Sequence, residues 1–198
     1  MMKNPVIRFG IILFTICFLS AVFLSGINLL TKEKIAFQKY QAEQNALREV
    51  MPETAEFEAV KKDSQTLYYK ALDKDKNILG FCFMAYGKGY SSQIETMVGM
   101  SKEGKINAIK ILSQSETPGL GSKIAELASS VTLFEAITGK AKKDEKLKPW
   151  FEERFSNKKI DELDKVDVIT GATISSSAVI KSVKEKAEEI LEEVKNGQ

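Results

Sequence analysis

The chain has 198 residues, of which 29 are Lys or Arg and 27 are Asp or Glu, and it contains two Cys and no His. These counts argue against His-ligated haem, most zinc and copper sites, and a four-thiolate cluster within one chain, so we expect no metal site. Residues 1–31 carry only Lys3 and Arg8 as charged side chains, and the rest of the chain balances 27 basic against 27 acidic residues. Because nucleic-acid phosphates bind concentrated positive charge, we expect no nucleic-acid partner.

Residues 9–30 form an uncharged, mostly apolar run of 22 residues. At a rise of about 1.5 Å per residue, such a helix spans a hydrocarbon core of roughly 30 Å. The alternative is a cleaved signal peptide, whose apolar region is shorter and ends at a small-residue cleavage site. We therefore expect residues 1–31 to be an uncleaved anchor with one transmembrane helix in the lipid bilayer. The flanking charges do not fix its orientation, because Lys3 and Arg8 compete with lysines on the other side.

The next part of the chain changes from a helical to a strand pattern. Residues 32–52 are predicted to form a helical linker that continues from the anchor and ends at Pro52. Short apolar runs separated by charged turns then predict antiparallel hairpins. The strands are expected at residues 67–72, 78–86, 93–100 and 106–112.

The second half of the chain is predicted to be mainly helical. We expect a helical stretch at 122–128, a charged loop at 140–148, a short strand at 166–169 and a last helix from about 173 to 195. Its inner face is expected to carry Ile174, Val179, Val183, Ala187, Ile190 and Val194. Trp150, Phe151 and Phe155 are expected to pack together in the core. The sequence thus predicts an α+β fold, with residues 53–198 forming one domain of an antiparallel sheet and packed helices.

A cluster of small and hydroxyl residues stands where the predicted short strand meets the last helix. Gly171 permits a tight turn and Ala172 adds little bulk. Thr173 then lies at the start of the helix, where free backbone N–H groups and the helix dipole favour a negative charge. These features suit a phosphate or a phosphoester. The alternative is that Thr170 or Thr173 is simply an N-cap residue.

The stretch from Asp167 to Ser175 resembles the flavinylation motif D-x-x-[ST]-G-A-[ST]-x-[ST], and every specified position matches. In proteins with this motif, a flavin transferase moves FMN from FAD onto the second hydroxyl residue. The resemblance implies that Thr173 carries covalent FMN as a phosphoester. It also implies that a set of neighbouring residues forms the frame that the transferase recognises, namely Asp167, Thr170, Gly171, Ala172 and Ser175.

A second segment supports the same assignment. Residues 115–121, with the sequence SETPGLG, are similar to a loop in the G subunit of the Rnf ion-translocating electron-transport complex. The C subunit of the sodium-pumping NADH:quinone reductase has a similar loop and is an alternative. The resemblance implies that Glu116 and Thr117 hydrogen-bond the flavin ring and that Leu120 covers it. Without the resemblance, Pro-Gly-Leu-Gly indicates only a turn.

As the resemblance implies, the chain is an electron-transfer subunit that is not catalytic alone. The complex would couple electron flow between ferredoxin and NAD to Na⁺ or H⁺ transport. Its other membrane and peripheral subunits, and a flavin transferase, would be the partners. The chain would be a single-pass protein of the cytoplasmic membrane with its flavin domain outside, so that residues 1–8 are cytoplasmic and Cys82 is buried and unpaired. The alternatives are a module that binds FMN or another phosphate ligand without a covalent bond, and a pilin-like structural protein.

Overall fold

A computed structural model of the chain describes residues 5–62, 65–126 and 149–196. The charged loop expected at 140–148, and the end of the helix expected at 122–128, lie outside these residues. The structure divides into two compact units, Met1–Ala42 and Glu43–Gln198. This division falls earlier than the domain boundary expected at residue 53, because Ala46, Leu47 and Val50 are buried in the second unit.

The first helix, α1 (Pro5–Val50), contains the apolar run of the sequence. It is long and apolar enough to cross a membrane, by length and composition. Its large apolar side chains from Val6 to Leu30 are exposed, as a lipid-facing helix requires. Pro52 follows the helix closely, as predicted, since proline disfavours helical backbone at the residue before it.

The second unit is built on an antiparallel sheet. The structure describes six strands, and each pairs with the next in chain order. The strands are β1 (Glu56–Lys62), β2 (Gln65–Leu72), β3 (Ile78–Lys88), β4 (Gln93–Ser101), β5 (Lys105–Ser113) and β6 (Lys158–Lys159). The four predicted strands correspond to β2 to β5. The prediction missed β1, because this edge strand is mostly charged and exposed, which is how natural sheets protect their edges.

Alternating residues of the central strands face two separate cores. Phe81, Phe83 and Ala85 of β3 belong to the larger core, whereas Cys82 belongs to the smaller one. The larger core also contains the inner side chains of α3 (Thr173–Asn196), and the smaller core contains the end of α1. The sheet is therefore covered on both faces, and α3 lies on one of them.

A close contact fixes where α3 crosses the sheet. A Cβ atom on Gly87 of β3 would lie 2.7 Å from the carbonyl oxygen of Ala178. Only glycine allows this approach of the α3 backbone to the strand. The contact holds the first turns of α3 near the end of β3.

Besides the two-residue strand β6, the described segments between β5 and α3 contain only short helical elements. They include a 3₁₀ turn at Gly121–Ala125, the one-turn helix α2 (Trp150–Glu153) and a second 3₁₀ turn at Ile160–Lys165. The helix predicted at 122–128 is therefore a shorter 3₁₀ turn, since Glu126 is already extended. The predicted aromatic cluster is confirmed for Phe151 and Phe155, whose buried rings pack edge to face with centroids 5.3 Å apart. Trp150 packs against Phe151 at 6.5 Å but is only partly buried.

The strand predicted at 166–169 is wrong. No described strand pairs with it: Arg154 Nη1 donates to the Asp167 carbonyl and Ile169 N donates to Ser176 Oγ. The remaining backbone bonds of the segment are local, from Val166 N to the Leu163 carbonyl and from Ala172 N to the Ile169 carbonyl. The last helix agrees with the prediction, except that Ile174 is 55% exposed and does not join the inner face.

Candidate functional site

A tight turn delivers the chain to the start of α3. Gly171 has φ +81°, a left-handed conformation that side-chain-bearing residues rarely adopt. The turn is closed by a 2.9 Å hydrogen bond from Ala172 N to the Ile169 carbonyl. It places Thr173 as the first residue of α3, where the leading backbone N–H groups of a helix have no partner within the helix.

The hydroxyl groups around this turn differ sharply in exposure. Ser175 is 1% exposed and Ser176 is fully buried. Ser176 Oγ donates to the Ala172 carbonyl at 2.6 Å and accepts from Ile169 N at 3.1 Å, so it ties the turn to the helix. Thr173 is exposed, and within the described residues its hydroxyl has no hydrogen-bond partner. It is therefore accessible to a reagent from solvent, whereas Ser175 and Ser176 are not.

A buried carboxylate lies behind the start of α3. Glu116 is 6% exposed and belongs to the loop that follows β5. Its Oε2 accepts from Ser175 Oγ at 2.6 Å and from Tyr90 N at 3.1 Å. Its Oε1 accepts from Ser91 N at 3.0 Å, and from Ser92 N and Ser92 Oγ at 2.9 and 3.1 Å. One side chain thus joins the β3–β4 turn, the loop after β5 and α3.

The environment of Glu116 keeps its carboxylate ionised. Burial alone would raise its pKa, but the hydrogen bonds from Ser175, Ser92, Ser91 and Tyr90 outweigh burial and lower the pKa to about 2. Three consecutive backbone N–H groups that converge on one anion form an arrangement that stabilises negative charge. At neutral pH the loop therefore holds a fixed negative charge.

A cleft of about 390 Å³ opens between the loop after β5 and the start of α3. This volume lies within the range usual for small-molecule sites. Three exposed apolar side chains, Tyr90, Leu120 and Ile174, border it, with exposed fractions of 74%, 50% and 55%. The cleft thus combines an apolar border, which suits a planar ring system, with a helix start, which suits a phosphate.

Seven of the nine predicted site residues line this cleft, namely Glu116, Thr117, Leu120, Gly171, Ala172, Thr173 and Ser175. Asp167 and Thr170 do not line it, although both are exposed nearby. Asp167 Oδ2 lies 3.4 Å from Arg154 Nη1, and the Arg154 guanidinium stacks 4.4 Å from the Trp150 ring. Direct contact of Glu116, Thr117 or Leu120 with a flavin ring remains a prediction.

The sequence prediction did not include three residues of the cleft among the site residues. These are Tyr90, Gly121 and Ile174. For Ile174 the helical period gave a signal. Steps of three or four residues back from the buried Val179 lead to the buried Ser176 and Ala172. Ile174 does not fall on this face, so the period predicts that it is exposed. Gly121 ends the segment 115–121 that the resemblance singled out, although it was not named as a site residue. For Tyr90 no sequence pattern indicates how far it lies from the helix start.

Comparison with known families agrees with this geometry. The FMN-binding domain family matches residues 89–188, which include the whole cleft lining. The N-terminal region of the RnfG family matches residues 1–50, which include the apolar helix. Together the two matches cover both units of the chain.

Curated relatives match over most of the chain. The G subunit of the proton-translocating ferredoxin:NAD⁺ oxidoreductase complex of Clostridium ljungdahlii is 30% identical over 88% of this chain and 85% of its own length. The G subunit of the ion-translocating oxidoreductase complex of Shewanella oneidensis is 30% identical over 92% and 88%. The G subunit of the Na⁺-translocating ferredoxin:NAD⁺ oxidoreductase complex of Acetobacterium woodii is 29% identical over 90% and 88%. The chain therefore belongs to the RnfG family of FMN-binding subunits of ion-translocating oxidoreductase complexes.

Proposed function

We propose that this chain carries FMN esterified through its phosphate to Thr173 and relays electrons within an Rnf-type complex. The family supports an electron-transfer subunit that binds FMN. The covalent link is inferred from the motif and from the position of its hydroxyls. The complex as a whole is the enzyme, and this subunit supplies a carrier site.

One observation carries the choice of Thr173. Of the hydroxyl residues between 170 and 177, Thr173 alone is both exposed and part of the cleft lining. Thr170 and Ser177 are exposed but do not line the cleft, and Ser175 lines it but is buried. A phosphoryl group transferred from outside can therefore reach Thr173 and stay at the start of α3.

The attachment is a phosphoryl transfer that the chain itself does not perform. The Thr173 oxygen forms a bond to the FMN phosphorus of FAD and loses its proton, while the bond from that phosphorus to the AMP oxygen breaks and AMP leaves. A separate flavin transferase supplies the catalysis. Asp167, with a side chain 88% exposed, is available for that enzyme to recognise.

The residues of the cleft suit a tethered flavin. A phosphoester leaves the ring electronics unchanged, and the bound FMN supplies the redox chemistry. The apolar side chains of Leu120 and Ile174 would exclude water from the ring, and the leading N–H groups of α3 would hold the phosphate.

The chain would act at a membrane. Residues 1–31 would form the cytoplasmic N-terminus and anchor, 32–52 a helical linker, and 53–198 the flavin domain on the outer face of the cytoplasmic membrane. Relatives are named as ferredoxin:NAD⁺ oxidoreductase subunits, one proton-translocating and one Na⁺-translocating. We propose the same electron route here, coupled to transport of one of these ions, with the other Rnf subunits as partners.

Denaturing gels test the attachment directly. The full-length chain is produced with and without a flavin transferase, denatured, separated and illuminated. We expect yellow-green fluorescence in the wild-type band only with the transferase, loss of that fluorescence in Thr173→Ala, and retention in the matched control Ser177→Ala. Flavin that washes out on denaturation would instead indicate a non-covalent FMN module.

A further inference from the structure

We propose that Glu116 is a positioning residue that latches the two sides of the cofactor cleft together, holding the β3–β4 turn against the first turn of α3. This inference rests on the proposed function, because the cleft is the proposed flavin site. It assigns to Glu116 and Ser175 a role through the fold, separate from contact with the flavin ring.

The acceptor positions of Glu116 are already occupied by hydrogen bonds from the chain, and we call this set of bonds the latch. A carboxylate has about four acceptor positions, and here five donors from the chain converge on it. These donors come from Tyr90, Ser91, Ser92 and Ser175. Little capacity remains for a donor on a ligand, so Glu116 acts through its neighbours.

Two glycines make room for the carboxylate. A Cβ atom on Gly89 would lie 2.5 Å from Glu116 Oε1. A Cβ atom on Gly121 would lie 2.6 Å from Glu116 Oε2 and also 2.6 Å from Ser175 Oγ. Real Cβ atoms essentially never approach other atoms this closely. Any larger residue at either position would therefore displace the Glu116 carboxylate from its hydrogen bonds. Neither glycine belongs to the flavinylation motif.

The latch connects the groups that border the cleft. Ser175 follows Thr173 by two residues on the first turn of α3, and Tyr90 donates its backbone N–H to the same carboxylate oxygen that Ser175 contacts. Releasing Glu116 would therefore free the exposed Tyr90 ring from its fixed position relative to the Thr173 hydroxyl.

The burial of Ser175 separates this role from recognition by the transferase. At 1% exposure, its hydroxyl cannot be touched by an enzyme that docks from solvent. The hydroxyl at this position of the motif would thus be needed for the latch. Because Ser175 Oγ donates to Glu116 Oε2, we expect an effect of Ser175→Ala on flavin attachment to act through Glu116.

Glutamine cannot replace Glu116 without loss. Both carboxylate oxygens accept from backbone N–H groups, Oε2 from Tyr90 and Oε1 from Ser91 and Ser92. Either orientation of a glutamine amide points its NH₂ group at a backbone donor, which it cannot accept from. Glu116→Gln, Ser175→Ala and Gly121→Ala therefore break the latch from three different elements.

The first measurement needs no flavin. Hydrogen exchange of the full-length chain in detergent, without transferase, measures how strongly the amides of residues 90–92 are protected from exchange. We expect Glu116→Gln to exchange about tenfold faster or more there, as for loss of a charge-assisted hydrogen bond. Ser175→Ala and Gly121→Ala should exchange faster by a smaller factor. Ser177→Ala, on the exposed side of the same turn, and the conservative Ser175→Thr should match the wild type.

The second measurement uses the transferase and the fluorescence anisotropy of the attached flavin. We expect slower attachment and lower anisotropy in the three latch variants and recovery of both in Ser175→Thr. Wild-type anisotropy and attachment in folded Ser175→Ala and Gly121→Ala would overturn the latch, whatever their melting temperatures. If the wild type accepts no covalent flavin, the proposed function fails. Unchanged hydrogen exchange at residues 90–92 in the variants would refute the latch independently of that result. Should Glu116→Gln not fold, the other two variants decide.

Discussion

The Ser175 hydroxyl donates to the Glu116 carboxylate across 2.6 Å, although 59 positions separate the two residues in the chain. The contact joins the loop after β5 to the start of α3, both of which line the cleft that contains Thr173. Because the contact is short and buried, it leads to a prediction about the stability of the fold at low pH.

Glu116 should stabilise the fold in a pH-dependent manner. Because its folded pKa of about 2 lies below the ordinary value of 4.5, its contribution is fully present above pH 4.5 and is lost as the pH falls towards 2. The difference in unfolding free energy between the wild type and Glu116→Gln should therefore narrow over this range. Urea denaturation of the full-length chain at stepped pH measures it. A difference that widens on acidification would contradict the assignment, and the exposed Glu153→Gln serves as the control.

Gly171→Val should block flavin attachment and leave the fold intact. A Cβ atom at Gly171 would meet only Leu120 Cδ2, at 3.7 Å, so there is room for it in the free chain. The left-handed backbone should cost about 1–2 kcal/mol for valine, and less for asparagine, which tolerates this conformation. We expect the valine side chain to obstruct the approach of the transferase. Circular dichroism and gel fluorescence check both parts, with Gly171→Asn as the milder variant, and global unfolding of the valine variant would count against this explanation.

Cys82 should be inert to thiol reagents until the second unit unfolds. It is fully buried, and burial raises the pKa of its thiol to about 12, so little thiolate forms at pH 8. In a Cys17→Ala background, we expect iodoacetamide to label the native chain at least about a hundredfold more slowly than the urea-unfolded chain. Equal labelling rates would show that the smaller core is open.

Phe151→Ala should be strongly destabilising. The ring is fully buried and packs against Phe155, and truncation of such a side chain typically costs about 3–5 kcal/mol of unfolding free energy.

Tyr90→Ala, at a side chain 74% exposed, should lower the unfolding free energy far less, but it should lower the anisotropy of attached flavin. Chemical denaturation distinguishes the two variants, and similar losses of stability would contradict the core assignment.

Local patterns predicted the elements whose sequence reflects their burial. Alternation in β3 and the helical period of α3 were sufficient, because one face of each packs against a core. The strand expected at 166–169 does not form, and the side chains of Arg154 and Ser176 bond to two of its backbone groups instead. Side-chain hydrogen bonds of this kind leave no periodic signal in the sequence.

The motif of the site could be predicted from the sequence, but the hydrogen bonds that hold the site together could not. The residues from 167 to 175 are contiguous, so one stretch of sequence carried the resemblance to the flavinylation motif, which implies the acceptor threonine that we propose. The latch joins Tyr90, Glu116 and Ser175, which meet only through the register of β3 with β4 and the placement of α3. No single segment of sequence encodes that meeting.

The central claim concerns the chemical state of the Thr173 oxygen. Mass spectrometry of the tryptic peptide 166–181, from protein isolated from its native membrane, measures that state directly. We predict a peptide heavier by FMN less one water, with fragment ions that place the added mass on Thr173. An unmodified peptide, or the added mass on Thr170 or Ser177, would contradict the account.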